Sequence, residues 1–172
     1  MKKTTEFIHM ARPEPDIATA VNPDITRAST LLFGRAEDLY RTDIRTYGRH
    51  GGGVHDDLCA AFTALEGGAG TSLTPSGHSA TTLAILSQVK SGDHLLLTDS
   101  AYGPTRHFCK GYLSRIGVEM ELYDPHIGGG ISELIRDSTS VIIIESPGSL
   151  TFEIQDIPAI CGAARARNVT TI

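Results

Sequence analysis

The chain has 172 residues, 40% of them hydrophobic and 20% charged, which is enough for one domain with a sizeable core and too apolar for a disordered tail. Its net charge of −5 leaves no basic footprint for nucleic acid, and apolar runs such as Val141-Ile142-Ile143-Ile144 are far too short to span a bilayer. Lys2 and Lys3 are not followed by an apolar segment of signal-peptide length, so export is not expected. Cys59, Cys109 and Cys161 are odd in number and lack CxxC spacing. They read as reduced packing thiols of a cytoplasmic protein rather than a disulfide framework or a zinc knuckle.

In chain order, residues 1 to about 30 are polar and carry Pro13, Pro15 and Pro23, which predicts an extended arm lying on another surface, such as a partner subunit. A short helix is expected over Arg35 to Ile44, then a loop from Arg45 to Gly53. Leu58, Phe62 and Leu65 recur at helical spacing, and Gly67-Gly68 ends that helix. A short strand is predicted at Thr71 to Thr74, a helix from Ser79 to about Val89, and a buried strand at His94 to Thr98. Thr105 to Ile116 reads as a helix closed by Gly117, Val118 to Tyr123 as a strand, and Ile131 to Arg136 as a short helix. Val141 to Glu145 is the most β-branched strand, Ile157 to Arg167 is helical, and Val169 to Ile172 begins a further strand. This alternation implies an α/β fold: a mostly parallel sheet with helices on both faces, ligands sitting beyond the carboxyl ends of the strands after Thr74, Thr98 and Glu145. Because Ile172 falls inside a strand, the expectation is that this is the front part of a larger protein, incomplete at its C-terminus.

Several residues at those ends could carry chemistry. In Pro75-Ser76-Gly77-His78-Ser79 a glycine after a strand lets backbone amides approach an anion, helped by the helix dipole; an ordinary Ser-capped turn reads equally well. The stretch is neither a P-loop nor a GxGxxG fingerprint. Tyr47 and Arg49 place a phenol and a guanidinium two residues apart, a pair suited to a phosphate dianion, although an arginine on a surface loop is the plainer reading. Tyr102 in Asp99-Ser100-Ala101-Tyr102-Gly103 could lay its ring on a planar ligand, or simply anchor the next helix. His50-Gly51-Gly52-Gly53 and Gly77-His78-Ser79-Ala80 imitate an esterase's oxyanion loop and nucleophile elbow, but Thr81 stands where that elbow needs glycine. His50, His55 and Cys59 lack a fourth metal ligand and are read as surface and capping residues, so no metal is expected.

The order of these motifs, Tyr-Gly-Arg, Leu-Glu-Gly-Gly, Pro-Ser-Gly, Gly-Asp-His, Thr-Asp-Ser-Ala-Tyr-Gly-Pro and Glu-Ser-Pro-Gly-Ser, resembles the Cys/Met-metabolism family of pyridoxal-phosphate (PLP) enzymes from about Asn22 to Ile172. Tyr123 to Gly128 and Glu145 to Glu153 resemble its cystathionine β-lyase branch; the sister γ-synthases and γ-lyases usually carry Thr-Asn-Pro where Gly148-Ser149-Leu150 stand. The resemblance implies a fold type I PLP enzyme, with residues 1–50 an arm and subunit-contact segment and residues 51–172 the first part of the large PLP-binding domain. It implies that Tyr47 and Arg49 reach the cofactor phosphate of a neighbouring subunit in a dimer or tetramer, Tyr47 also assisting proton transfer at the substrate amine. Gly77 and His78 would offer backbone amides to the phosphate of their own subunit's cofactor, Tyr102 would stack on the pyridine ring, and Ser149 would sit near it where relatives have Asn.

The implied reaction is carbon–sulfur β-elimination of the sulfur amino acid cystathionine to homocysteine, pyruvate and ammonia, with γ-synthase or γ-lyase chemistry as the alternative. The family's cofactor-linking lysine and pyridinium-pairing Asp have no counterpart among these residues, and Lys90 and Lys110 stand outside the expected motif. The 172-residue chain by itself is therefore expected to be inactive, and a non-catalytic remnant is the reading from another class.

Overall fold

The computed structural model describes residues 2–10, 12, 18 and 20–172. Pro13 and Pro15, on which part of the arm expectation rested, lie outside the described residues. The chain divides into two compact units, Met1–Leu73 and Thr74–Ile172.

The first unit begins with a helix, α1 (Lys3–His9), which the expected extended arm did not include. The helix expected over Arg35 to Ile44 is only a 3-10 turn at Ala36–Tyr40, bounded by extended residues Arg35 and Arg41. A second 3-10 turn spans Gly48–His50, and α2 runs over Val54–Glu66. The Gly67-Gly68 stop is seen: Gly67 takes the left-handed conformation (φ 64°) and Gly68 N–H donates to Thr63 O at 3.0 Å. None of the unit's described residues is buried. The strand expected at Thr71 to Thr74 is absent: these residues have no ladder partner, and a four-residue segment between Gly70 and Pro75 cannot hold strand geometry without one.

The second unit is a four-stranded parallel sheet. Its helices and strands are α3 (Gly77–Leu86), β1 (His94–Thr98), α4 (Gly103–Phe108), β2 (Glu119–Tyr123), β3 (Thr139–Ile143), α5 (Ile157–Ala166) and β4 (Thr170–Thr171). Strand order is β2-β1-β3-β4, so the chain crosses over β1 between β2 and β3. α4 runs on into a π turn at Cys109–Leu113, and the short helix expected at Ile131 to Arg136 is a 3-10 turn at Gly128–Glu133.

Both sheet faces are covered, as the unbroken burial of β1 around its three consecutive leucines requires. Leu95 and Leu97 pack with Ile85, Cys109, Leu113, Val141 and Ile143 on one side. Leu96 packs with Tyr123, Ile131, Ile142 and Ile160 on the other. Burial pushes the Cys109 thiol up to about 11, so this cysteine behaves as a packing residue. Cys59 and Cys161 are also free thiols. No helix among the described residues is long and apolar enough to cross a membrane.

A polar cluster closes the amino end of the sheet. His94 is buried, with Nδ1 2.8 Å from Thr139 Oγ1, which itself accepts from Arg136 N–H at 2.8 Å. Nε2 faces Glu121 Oε2 at 3.3 Å, and Arg136 forks onto Glu119 (2.8 Å) and Glu121. Burial first, and the Arg136 charge second, hold His94 below the ordinary imidazole value, while Glu121 and Glu119 oppose the shift. The unfolded chain therefore takes up this proton before the folded one does. Stability from the neutral imidazole is complete above about pH 6.5 and is lost as pH falls from there through the lower folded value. The urea midpoint should fall between about pH 7 and about pH 5, and fall less in His94→Asn. Parallel pH profiles for the two proteins would remove His94 as the cause.

Candidate functional site

The loops after β1 and β3 leave the carboxyl end of the sheet together and are tied to each other. Tyr102 N–H donates to Glu145 Oε2 (2.9 Å), and Ser149 N–H donates to Ser100 O (2.8 Å). Gly148 comes so near Ser100 that an added Cβ would lie 2.7 Å from the serine Cβ. Ser100 cannot retreat, because it is buried and its Oγ is 3.0 Å from Thr98 Oγ1.

α3 brings its first turn to the same place. Ser76 caps it, its Oγ accepting from Ser79 N–H at 3.1 Å and donating to Ser79 Oγ at 2.9 Å. Among the described residues neither Gly77 N–H nor His78 N–H makes a hydrogen bond, and nothing lies within 4 Å of where a Cβ on Gly77 would be. The His78 ring stands edge-on to Tyr102, centroids 6.5 Å apart, and to Phe108 at 6.4 Å. Tyr102 is half exposed. Two free N–H donors at a helix N-terminus, open space on the side of Gly77 where a Cβ would stand and an accessible aromatic face nearby suit a ligand with an anionic group and a planar ring. Gly77, His78 and Tyr102 are thus brought together, and Ser149 joins them through Ser100.

Tyr47 and Arg49 lie in the first unit. Tyr47 precedes the Gly48–His50 turn and bridges Thr30, with Gly48 N–H donating to Ser29 O at 2.8 Å. Only glycine fits at position 48, since a Cβ there would lie 2.5 Å from Ala28 O. Arg45 braces the loop, reaching His50 O (2.5 Å) and Asp56 (2.8 Å). Arg49 Cζ sits 6.0 Å from the Tyr47 ring centroid and makes no ion pair among the described residues. The described residues contain no group of three or more His, Cys, Asp or Glu placed to hold a metal.

The model of the Cys/Met metabolism PLP-dependent enzymes matches residues 4–172. The chain belongs to this family. The Haemophilus influenzae cystathionine β-lyase is 43% identical over 171 residues, covering 96% of this chain and 43% of the relative. The Escherichia coli cystathionine β-lyase MetC is 39% identical over 171 residues, with the same coverage of each chain. Among solved structures, metB from Corynebacterium glutamicum superimposes with a TM-score of 0.88 at 26% identity, over 99% of this chain and 44% of that one. The chain therefore spans less than half the length of these relatives. The family's cofactor is pyridoxal phosphate, and the expected fold, an α/β sheet of PLP fold type I, is the one found.

Three contacts behind these loops have no counterpart in the motif reading. Glu145 accepts the Tyr102 amide. Gln155 is buried, its Nε2 donating to Glu145 O (2.7 Å) and its backbone N–H to Ser146 Oγ (3.0 Å). Tyr123 Oη lies 2.9 Å from both Gln155 Oε1 and Ile143 O, and burial raises its pKa. For Gln155 the local hint was its place directly before the Asp156 helix cap.

Proposed function

We propose that this chain supplies the cofactor cradle of a PLP-dependent carbon–sulfur lyase that splits cystathionine by β-elimination into homocysteine, pyruvate and ammonia. The observation that carries the reading is the pair of unbonded N–H donors on the first turn of α3 beside the half-exposed ring of Tyr102. The relatives named as cystathionine β-lyases support the choice of reaction.

In this reading Gly77 and His78 donate to the cofactor phosphate, Tyr102 covers one face of the pyridine ring, and Ser149 borders it. When bound, PLP supplies an electron sink for charge developing at the substrate's α-carbon. Tyr47 and Arg49 of a second copy complete the phosphate site, and the Tyr47 phenol holds or moves a proton at the substrate amine. Residues 1–50 then act as the arm and subunit-contact segment, and residues 51–172 as part of the large domain. The apolar row Leu58, Phe62 and Leu65, exposed by 40–46% on α2, supports such self-association. Free thiols at Cys59, Cys109 and Cys161 suit a reducing cytoplasm.

Neither lysine considered above approaches this end of the sheet. Lys90 lies in the turn before β1, its N–H bonded to Asp93, and Lys110 shares a groove with Glu119 and Arg136 at the amino end. The 172-residue chain alone should thus release no pyruvate from cystathionine, whereas the whole protein should do so with PLP. In the whole protein Arg49→Ala should raise the PLP concentration for half-maximal activity by about 10-fold to 100-fold, the value of a charged hydrogen bond pair. Release of 2-oxobutyrate in place of pyruvate would move the protein to the γ-lyases, and pyruvate release by the isolated chain would overturn the assignment of its lysines.

A further inference from the structure

Tyr102 begins α4 without a side-chain cap of its own, at φ −48° and ψ 129°. Its ring direction therefore depends on what holds its backbone. Among the described residues, the contact that does so from the far loop is the Glu145 carboxylate, 43 residues away, accepting the Tyr102 N–H at 2.9 Å. Glu145 is itself half-buried, and its backbone carbonyl is pinned by Gln155 at 2.7 Å. Gln155 is fixed in turn beside the buried Tyr123. The carboxylate is thus presented from a rigid base to one amide, and no ion pair among the described residues uses its charge.

We propose that Glu145 is a positioning residue of the cofactor site, holding the Tyr102 backbone so that its ring faces the bound pyridine. This rests on the cofactor reading above. A glutamine at 145 keeps an acceptor oxygen of the same reach, so geometry, not charge, predicts that Glu145→Gln substitutes for the parent while Glu145→Ala does not.

The test uses the 172-residue chain with two readouts. Without ligand, amide hydrogen exchange at Tyr102 should speed up about tenfold in Glu145→Ala, stay near the parent rate in Glu145→Gln, and remain unchanged at Leu95–Leu97 in both. With pyridoxal phosphate added, the circular dichroism induced in its absorption band, which reports a fixed ring orientation, should be lost in Glu145→Ala and kept in Glu145→Gln. Equal Tyr102 exchange in the parent and Glu145→Ala would overturn the proposal, as would Glu145→Gln behaving like Glu145→Ala. An absence of any induced signal in the parent counts against the cofactor reading alone, and the exchange comparison then decides the role of Glu145.

Discussion

Leu96→Ala should destabilise the sheet unit by about 2–5 kcal/mol, the largest single-residue effect expected in this chain. Leu96 is fully buried in β1, and its backbone is paired on both sides, opposite Glu121 of β2 and Ile142 of β3. Its side chain lies among Tyr123, Ile131, Ile142 and Ile160. Those neighbours belong to two strands, β2 and β3, to the 3-10 turn at Gly128–Glu133 and to α5, so no single shift can close the space left behind. Truncation removes the transfer free energy of three carbons and adds a cavity term. Equilibrium urea unfolding measures the loss as a lower midpoint at unchanged slope. A midpoint within error of the parent would mean that this face of the sheet collapses around the gap.

Gly148→Ala should separate the two loops that form the site and cost about 1–3 kcal/mol. The new Cβ would meet Ser100 Cβ and Glu153 Oε2 at 2.7 Å each. The Glu153 carboxylate is the movable partner, although Thr151 Oγ1 donates to it at 2.5 Å, a bond that lowers its pKa. Ser100 is not movable, being buried and bonded to Thr98, so the β3 loop has to give way. Its retreat breaks the Ser149 N–H bond to Ser100 O and strains Glu145 away from Tyr102. Pyridoxal phosphate affinity should drop about tenfold or more alongside stability, the equivalent of one lost charge-assisted hydrogen bond. Parental affinity in a folded Gly148→Ala chain would show that the two loops act independently.

Much of the site was legible because its signals are local. Ser76-Gly77-His78 announced a capped helix start, Gly67-Gly68 a helix stop, and Tyr102 a ring just past a buried strand; each depends on neighbours a few residues away. The contacts of Glu145, Gln155 and Tyr123 were not legible, because they join residues 43, 10 and 32 apart and carry no spacing rule. The strand expected at Thr71 to Thr74 failed for the same reason. Its composition suits a strand, but a strand exists only with a partner, and none of β1 to β4 pairs with these residues. Tyr47 and Arg49 were picked out by their chemistry, and the glycine between them turned out to be a packing requirement against Ala28 O.

By itself the sequence determined the alternation of strands and helices, the helix caps, and the family to which the motifs belong, all of which arise from residue type and short spacing. Tertiary structure alone decided that β1 lies between β2 and β3, that His94 ends up buried with its Nε2 facing the Glu121 carboxylate, and that Glu145 reaches back to the Tyr102 amide. Those outcomes depend on which distant segments pack together, and that is set by the burial of whole faces of the sheet rather than by any one stretch of chain.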